Sequence, residues 1–144
     1  MKKILIILLF AVGIATLNAN SIKHIAEDRN SIKSLYGDEF SKFTPGQQQY
    51  ILNNKEIMRR ITQQVLSRIA RVNLPKDLNV NSDNTVEFYL HPKGTMTNFK
   101  VIKTSGYDIL DATSEQVILN AYNKYPRPKE ITLIRYNIFY KLKR

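Results

Sequence analysis

His24, His91, the Thr104-Ser105-Gly106 turn and the carboxylates Asp108 and Asp111 are the residues of this chain whose types could do chemistry. A histidine beside a serine and a carboxylate would serve acyl transfer, two close carboxylates acid–base hydrolysis, and a cluster of both a divalent metal. Their spacing supports none of these. The histidines lie far apart in sequence, with no His-x-x-x-His motif or carboxylate cluster beside them. His91 is a polar residue entering a turn. Thr104-Ser105-Gly106 has no nucleophile elbow around it, so Ser105 is expected to bond locally while Gly106 accommodates the backbone. Asp108 and Asp111 fall at a helix start, where carboxylates cap free N–H groups and suit the positive end of the dipole. There is no phosphate-binding glycine loop, and the absence of cysteine excludes a thiol nucleophile, a disulfide framework and cysteine metal sites. The chain reads as non-enzymatic, with no cofactor and no metal, and its function is to be sought in a surface.

The elements that present such a surface are legible in the hydrophobic pattern. Thr85 to Leu90 alternates, placing Val86, Phe88 and Leu90 on one face of a strand. His91-Pro92-Lys93-Gly94 suits a type I turn followed by a left-handed glycine, and a second strand runs from Met96 to Thr104. A helix is expected over 108–125, stopped by Pro126-Arg127-Pro128. In the closing strand, 131–141, Ile134, Tyr136, Ile138 and Tyr140 should face the core. Arg135, Asn137 and Lys141 then leave a polar outer face with an exposed aromatic at Phe139. Upstream, Thr44-Pro45-Gly46-Gln47 is a helix start with a capping box. The helix should run to about Val72, with an apolar stripe at Ile57, Ile61, Val65 and Ile69 widened by Leu66 and Val72. Asn53-Asn54 marks where it could divide into two. Ile22, Ile25, Ile32, Leu35 and Tyr36 are spaced like one face of an earlier helix, broken at Gly37-Asp38. That segment reads as a short helix packed on the domain or a mobile lead-in, with a membrane-surface helix as the sharper alternative.

The order ββαβ with these junctions resembles the C-terminal domain of the TonB family, the periplasmic end of bacterial energy transducers. The resemblance rests on the Val86-x-Phe88-x-Leu90 strand with its Pro92-Lys93-Gly94 turn, and on Val101 leading into Thr104-Ser105-Gly106-Tyr107. It continues through Leu110-Asp111, Ala121 and Tyr125-Pro126-Arg127-Pro128. It implies an α+β fold: a three-stranded antiparallel sheet with a packed helix, preceded by a long N-terminal helix or helix pair. It also implies that the last strand lies at a sheet edge, where an extended peptide can add itself. On that basis Ile134, Arg135, Tyr136, Asn137, Ile138 and Phe139 are the expected partner-binding strand. The implied partner is a segment of an outer-membrane receptor or other envelope protein, with an inner-membrane motor if the chain is anchored. Two other readings of the edge stay open: one guarded by Arg135, Lys141, Lys143 and Arg144, and one that pairs with its own copy as a homodimer.

Location and partners follow from charge. Lys2-Lys3, an uncharged run from Ile4 to Leu17 and Asn18-Ala19-Asn20-Ser21 have the three zones of a secretory signal. The expected organisation is 1–19 signal peptide or membrane anchor, 20–43 lead-in segment and 44–144 binding domain. The protein is then periplasmic, soluble after cleavage or tethered to the inner membrane. Members of the resembled family carry a long proline-rich spacer, whereas here about 25 residues, none of them proline, separate the apolar run from Thr44. Net charge is +10, which favours anionic partners. Lys55, Arg59, Arg60, Arg68 and Arg71 along the long helix support an alternative, a structural envelope protein that associates with membrane or cell wall through that helix. An exported protein does not meet nucleic acid, so none is expected as a partner.

Overall fold

A computed structural model describes residues 31–142. The segment expected to be a signal or anchor, His24, Lys143 and Arg144 lie outside the described residues. The elements in order are helix α1 (Ile32–Tyr36), a 3₁₀ segment (Gly37–Lys42), helix α2 (Pro45–Asn73), strands β1 (Val80–Leu90) and β2 (Met96–Lys103), helix α3 (Asp108–Ala121), a 3₁₀ turn (Tyr122–Lys124) and strand β3 (Thr132–Leu142). The three strands form one antiparallel sheet in the order β2-β1-β3. The α+β fold expected from the sequence is the fold observed.

The junction chemistry sets the elements. Thr44 accepts the Gln47 N–H while the Gln47 side chain accepts the Thr44 N–H, a complete capping box with Pro45 in the first turn. The Gln47 amide also donates to the Ile131 carbonyl at 2.8 Å, so this helix start is tied to the entry of β3. Between β1 and β2, Gly94 takes φ 86° and donates to the His91 carbonyl, closing the expected tight turn.

Helix α2 is continuous over 29 residues and does not divide at Asn53-Asn54. Asn54 donates to the Tyr50 carbonyl one turn back, which spends its polarity inside the helix. The buried stripe also differs from the expected one. It runs through Tyr50, Ile51, Met58, Thr62, Val65 and Leu66, whereas Ile57 is 40% and Val72 80% exposed. Thr62 can lie on the stripe because its hydroxyl is satisfied: it donates to the Met58 carbonyl and so must accept from the Tyr125 hydroxyl at 2.6 Å. Tyr125 in turn stacks on Phe88 at 6.3 Å between centroids.

Helices α2 and α3 cover one sheet face. Val86, Phe88 and Leu90 of β1 and Ile134, Ile138 and Tyr140 of β3 pack there with Leu110, Val117, Ile118 and Ala121 of α3. Full burial of a side chain such as Phe88 is worth about 1.5–3 kcal/mol. A buried polar chain crosses this core. Tyr140 donates to Ser114, Ser114 to the Asn84 side-chain Oδ1, and the Asn84 side-chain Nδ2 to Asp111, at 2.8, 2.8 and 2.9 Å. Burial and the neighbouring Asp111 charge push the Tyr140 phenol up to about 12, although Ser114 offsets part of this.

Asp111 corrects the expectation of a helix cap. The N-cap is Tyr107, without a side-chain cap bond. Instead Asp111 reaches back to accept from the Ser105 N–H at 3.0 Å, the Ser105 hydroxyl at 2.7 Å and the Thr104 hydroxyl. Burial pushes its carboxyl pKa up, but the bonds from Thr104, Asn84 and Ser105 outweigh that and hold it below the usual range. A depressed carboxylate stabilises the fold above its unfolded pKa and loses that contribution as pH falls through the folded one. Asp111→Ala should therefore cost about 1–3 kcal/mol near neutral pH. Urea denaturation should show the gap from wild type closing as pH drops below about 4.

Candidate functional site: the outer edge of β3

Of the residues with chemical potential, His91 bonds Thr97 at 2.7 Å beside the hairpin. Thr104, Ser105 and Asp111 do come together, but around a carboxylate saturated with donors, which anchors a turn. Among the described residues no group of three or more His, Cys, Asp or Glu could hold a metal. The remaining candidate is the sheet edge.

The sheet has two edges, and they differ. Along β2 the register with β1 shifts twice, each time with an extra residue on β2. Asn98 lies in the left-handed region at φ 55°, at the first of these bulges. Bulges interrupt the row of backbone groups that a further strand would pair with. Strand β3 pairs with β1 without a shift from Thr132↔Leu90 to Leu142↔Val80. Its other side is the regular edge of the sheet.

The burial pattern of β3 follows the expected alternation, with one exception. Ile134, Tyr136, Ile138 and Tyr140 are buried, and Phe139 is 43% exposed. Asn137 is buried rather than exposed, because its amide donates across the strands to Asp83 at 2.8 Å and Thr85 at 2.9 Å. Arg135 is also committed, to Glu87 at 3.0 Å, to Glu39 at 3.1 Å and to the Leu35 carbonyl at 3.1 Å. Burial pulls its pKa down, but the bonds to Glu39 and Glu87 outweigh this and raise it above its ordinary value.

Helix α1 sits on the first part of the edge. The Tyr36 hydroxyl donates to the Leu133 carbonyl at 3.0 Å and accepts from the Arg135 N–H at 2.9 Å, the two groups that another strand would engage there. Backbone groups alternate sides along an antiparallel strand, so odd-numbered residues of β3 turn theirs outward and even-numbered residues pair with β1. Tyr36 is held by Phe40 and Phe43, with centroids at 6.0 and 5.4 Å, and by the Arg135 guanidinium 5.7 Å above its ring. Burial pushes its phenol well above the ordinary tyrosine range. Of the six residues expected to bind a partner, Arg135 is thus engaged at this edge by α1. The contact was not legible in the sequence, where the only signal was an aromatic at the end of the earlier helical face.

Residues 76–142 match the family described as Gram-negative bacterial TonB protein C-terminal, so the resemblance read from the sequence holds over that segment. Protein TonB of Helicobacter pylori is 23% identical over 117 residues, covering 81% of this chain and 39% of the relative. The chain thus spans about two-fifths of that relative's length. Two NMR solution structures of the Helicobacter pylori TonB C-terminal domain, a shorter and a longer form, align at TM-scores of 0.47 and 0.48. Their identities are 24% and 23%, covering 58% and 71% of this chain and 96% of each.

Tyr36→Phe removes the hydroxyl that bridges the edge while keeping the ring. It should lower stability by about 1–2 kcal/mol and speed hydrogen exchange of the Arg135 amide, read by NMR. Tyr136→Phe, on the core face, should leave that amide's exchange unchanged relative to global stability.

Proposed function

We propose that the chain is a periplasmic envelope protein whose TonB-like domain captures an extended segment of an outer-membrane receptor or another envelope protein. Capture occurs by strand addition along β3, over Ile134 to Phe139, in outer-membrane transport or energy transduction. The observation that supports it most is the contrast between the two edges: β2 is bulged, and β3 is regular over eleven residues. An added strand gains main-chain hydrogen bonds to the odd-numbered residues and exchanges its own groups for those the edge already holds. To span Ile134–Phe139 in full it displaces the Tyr36 hydroxyl from Leu133 and Arg135. On this reading the protein acts by binding, without catalysis, cofactor or metal.

The alternative, a structural envelope protein that binds through the basic residues of α2, gives the opposite mutational ordering. Pro at 139 removes an outward N–H and spares the pairing with β1, as edge positions tolerate. A photo-crosslinking residue at position 141 should form adducts with an envelope or outer-membrane protein in the host, reduced to background by Phe139→Pro. Charge reversal at Arg60 and Arg68 should leave the adducts unchanged. If reversal abolishes them and the proline does not, the helix face is the binding surface.

A further inference from the structure

The first outward groups of β3 are occupied by residues of the same chain. The Tyr36 hydroxyl donates to the Leu133 carbonyl and accepts from the Arg135 N–H, as one residue of a neighbouring strand would. Helix α1, which carries Tyr36, is five residues long. That is far below the length at which a helix holds itself in water, so its place is set by what it touches. Tyr36 is buried, but Ile32 and Leu35 beside it are only partly so. A void of about 40 Å³ remains where α1 faces Ile51, Met58, Ile134 and Tyr136. Part of the apolar contact across this junction is therefore not made.

Departure of α1 strands no buried charge. Arg135 bonds the Leu35 carbonyl, but it also holds Glu87 at 3.0 Å and Glu39 at 3.1 Å, and neither carboxylate belongs to α1. The Leu133 carbonyl and the Arg135 N–H pass to water or to an incoming strand. The joint behind α1 suits such a movement. Gly37 links it to the 3₁₀ segment at φ 55° and ψ −132°, a conformation that glycine takes at no steric cost. Beyond the joint, the Gln48 side-chain amide donates to the carbonyls of Phe40 and Phe43 at 2.9 and 3.2 Å, fixing the 3₁₀ segment to α2. A helix released at Gly37 stays tethered beside the edge and returns to it at high effective concentration.

We infer that α1 is an autoinhibitory latch, closed on the first outward groups of β3 while no partner is bound and released at Gly37 when one arrives. The inference rests on the strand-addition reading of β3. A latched edge is shielded from pairing with stray strands. The fraction of molecules with the latch closed weakens the apparent affinity of any added strand in proportion.

The test follows amide hydrogen exchange of the full chain at a series of low urea concentrations. The Arg135 amide and the amide at position 35, which bonds the Ser31 carbonyl within α1, should exchange through one shared opening. That opening should be roughly tenfold or more faster than exchange of the core amides of Val117 and Ile138, and nearly independent of urea. Ile32→Asn/Leu35→Asn removes the apolar attachment of α1 and leaves the Tyr36 hydroxyl in place. It should quicken the shared opening by roughly another tenfold, with the core amides unchanged. Leu52→Asn, the same chemical change at an exposed position of α2, should alter neither. Single substitutions take the place of the double variant if its core amides quicken. With the photo-crosslinker at position 141, the loosened variant should yield several-fold more adducts than wild type. Exchange of Arg135 in step with Val117 and Ile138 in both proteins overturns the latch and makes α1 a fixed part of the fold. A faster opening without more adducts overturns the inhibition and leaves strand addition standing. Absence of adducts from both proteins sinks strand addition, and the inhibition with it.

Discussion

Among the described residues β3 has a strand neighbour on one side, so half of its backbone donors and acceptors find their partners outside that pairing. The rest of this structure is arranged around that constraint on β3. Its core face is locked by apolar burial and by the Tyr140–Ser114–Asn84–Asp111 chain, which joins the strand to α3, to β1 and to the turn before α3. Its entry is fixed by Gln47 of the capping box. Its first outward groups are met by Tyr36. On the proposed reading, a strand held this firmly acts as a rigid template, and rigidity limits the entropy lost when a peptide is ordered against it.

The two edges of the described sheet differ in regularity. Two extra residues in β2 and a left-handed Asn98 break the spacing of its outward groups. The eleven residues of β3 keep theirs. The N-terminal elements act on the same strand. The long helix buries Met58, Val65 and Leu66 in the core beneath it, and α1 with the following 3₁₀ segment brings Tyr36 and Glu39 to Arg135.

Much of the fold was legible in the sequence because strong local signals agreed with the tertiary outcome. The capping box at Thr44, the Pro92-Lys93-Gly94 turn and the alternation from Ile134 to Tyr140 each have a local cause. What escaped depended on contacts distant in sequence. Thr62 reads as a polar interruption until Tyr125 meets it, so the apolar spacing points to Ile57 and Val72 beside the buried Val65 and Leu66. Asn98 carries no proline or glycine to announce a bulge. Asp111 looked like a cap because its bonds to Ser105 and Thr104 require the turn to fold back on the helix. Alternation alone puts Asn137 on the outer face, because its bonds to Asp83 and Thr85 cross to another strand. The candidate strand was found through alternation and resemblance, and the Tyr36 contact on it needed the three-dimensional arrangement.

The central claim is that β3 recognises a partner through its outward backbone. The direct measurement is residue-resolved amide hydrogen exchange of the full chain with and without a bound envelope-protein segment. The account predicts added protection at the outward amide of Lys141, with little change at Ile134, Ile138 and Tyr140, whose amides already pair with β1. Protection that spreads along the exposed face of α2 and leaves β3 unchanged would contradict it.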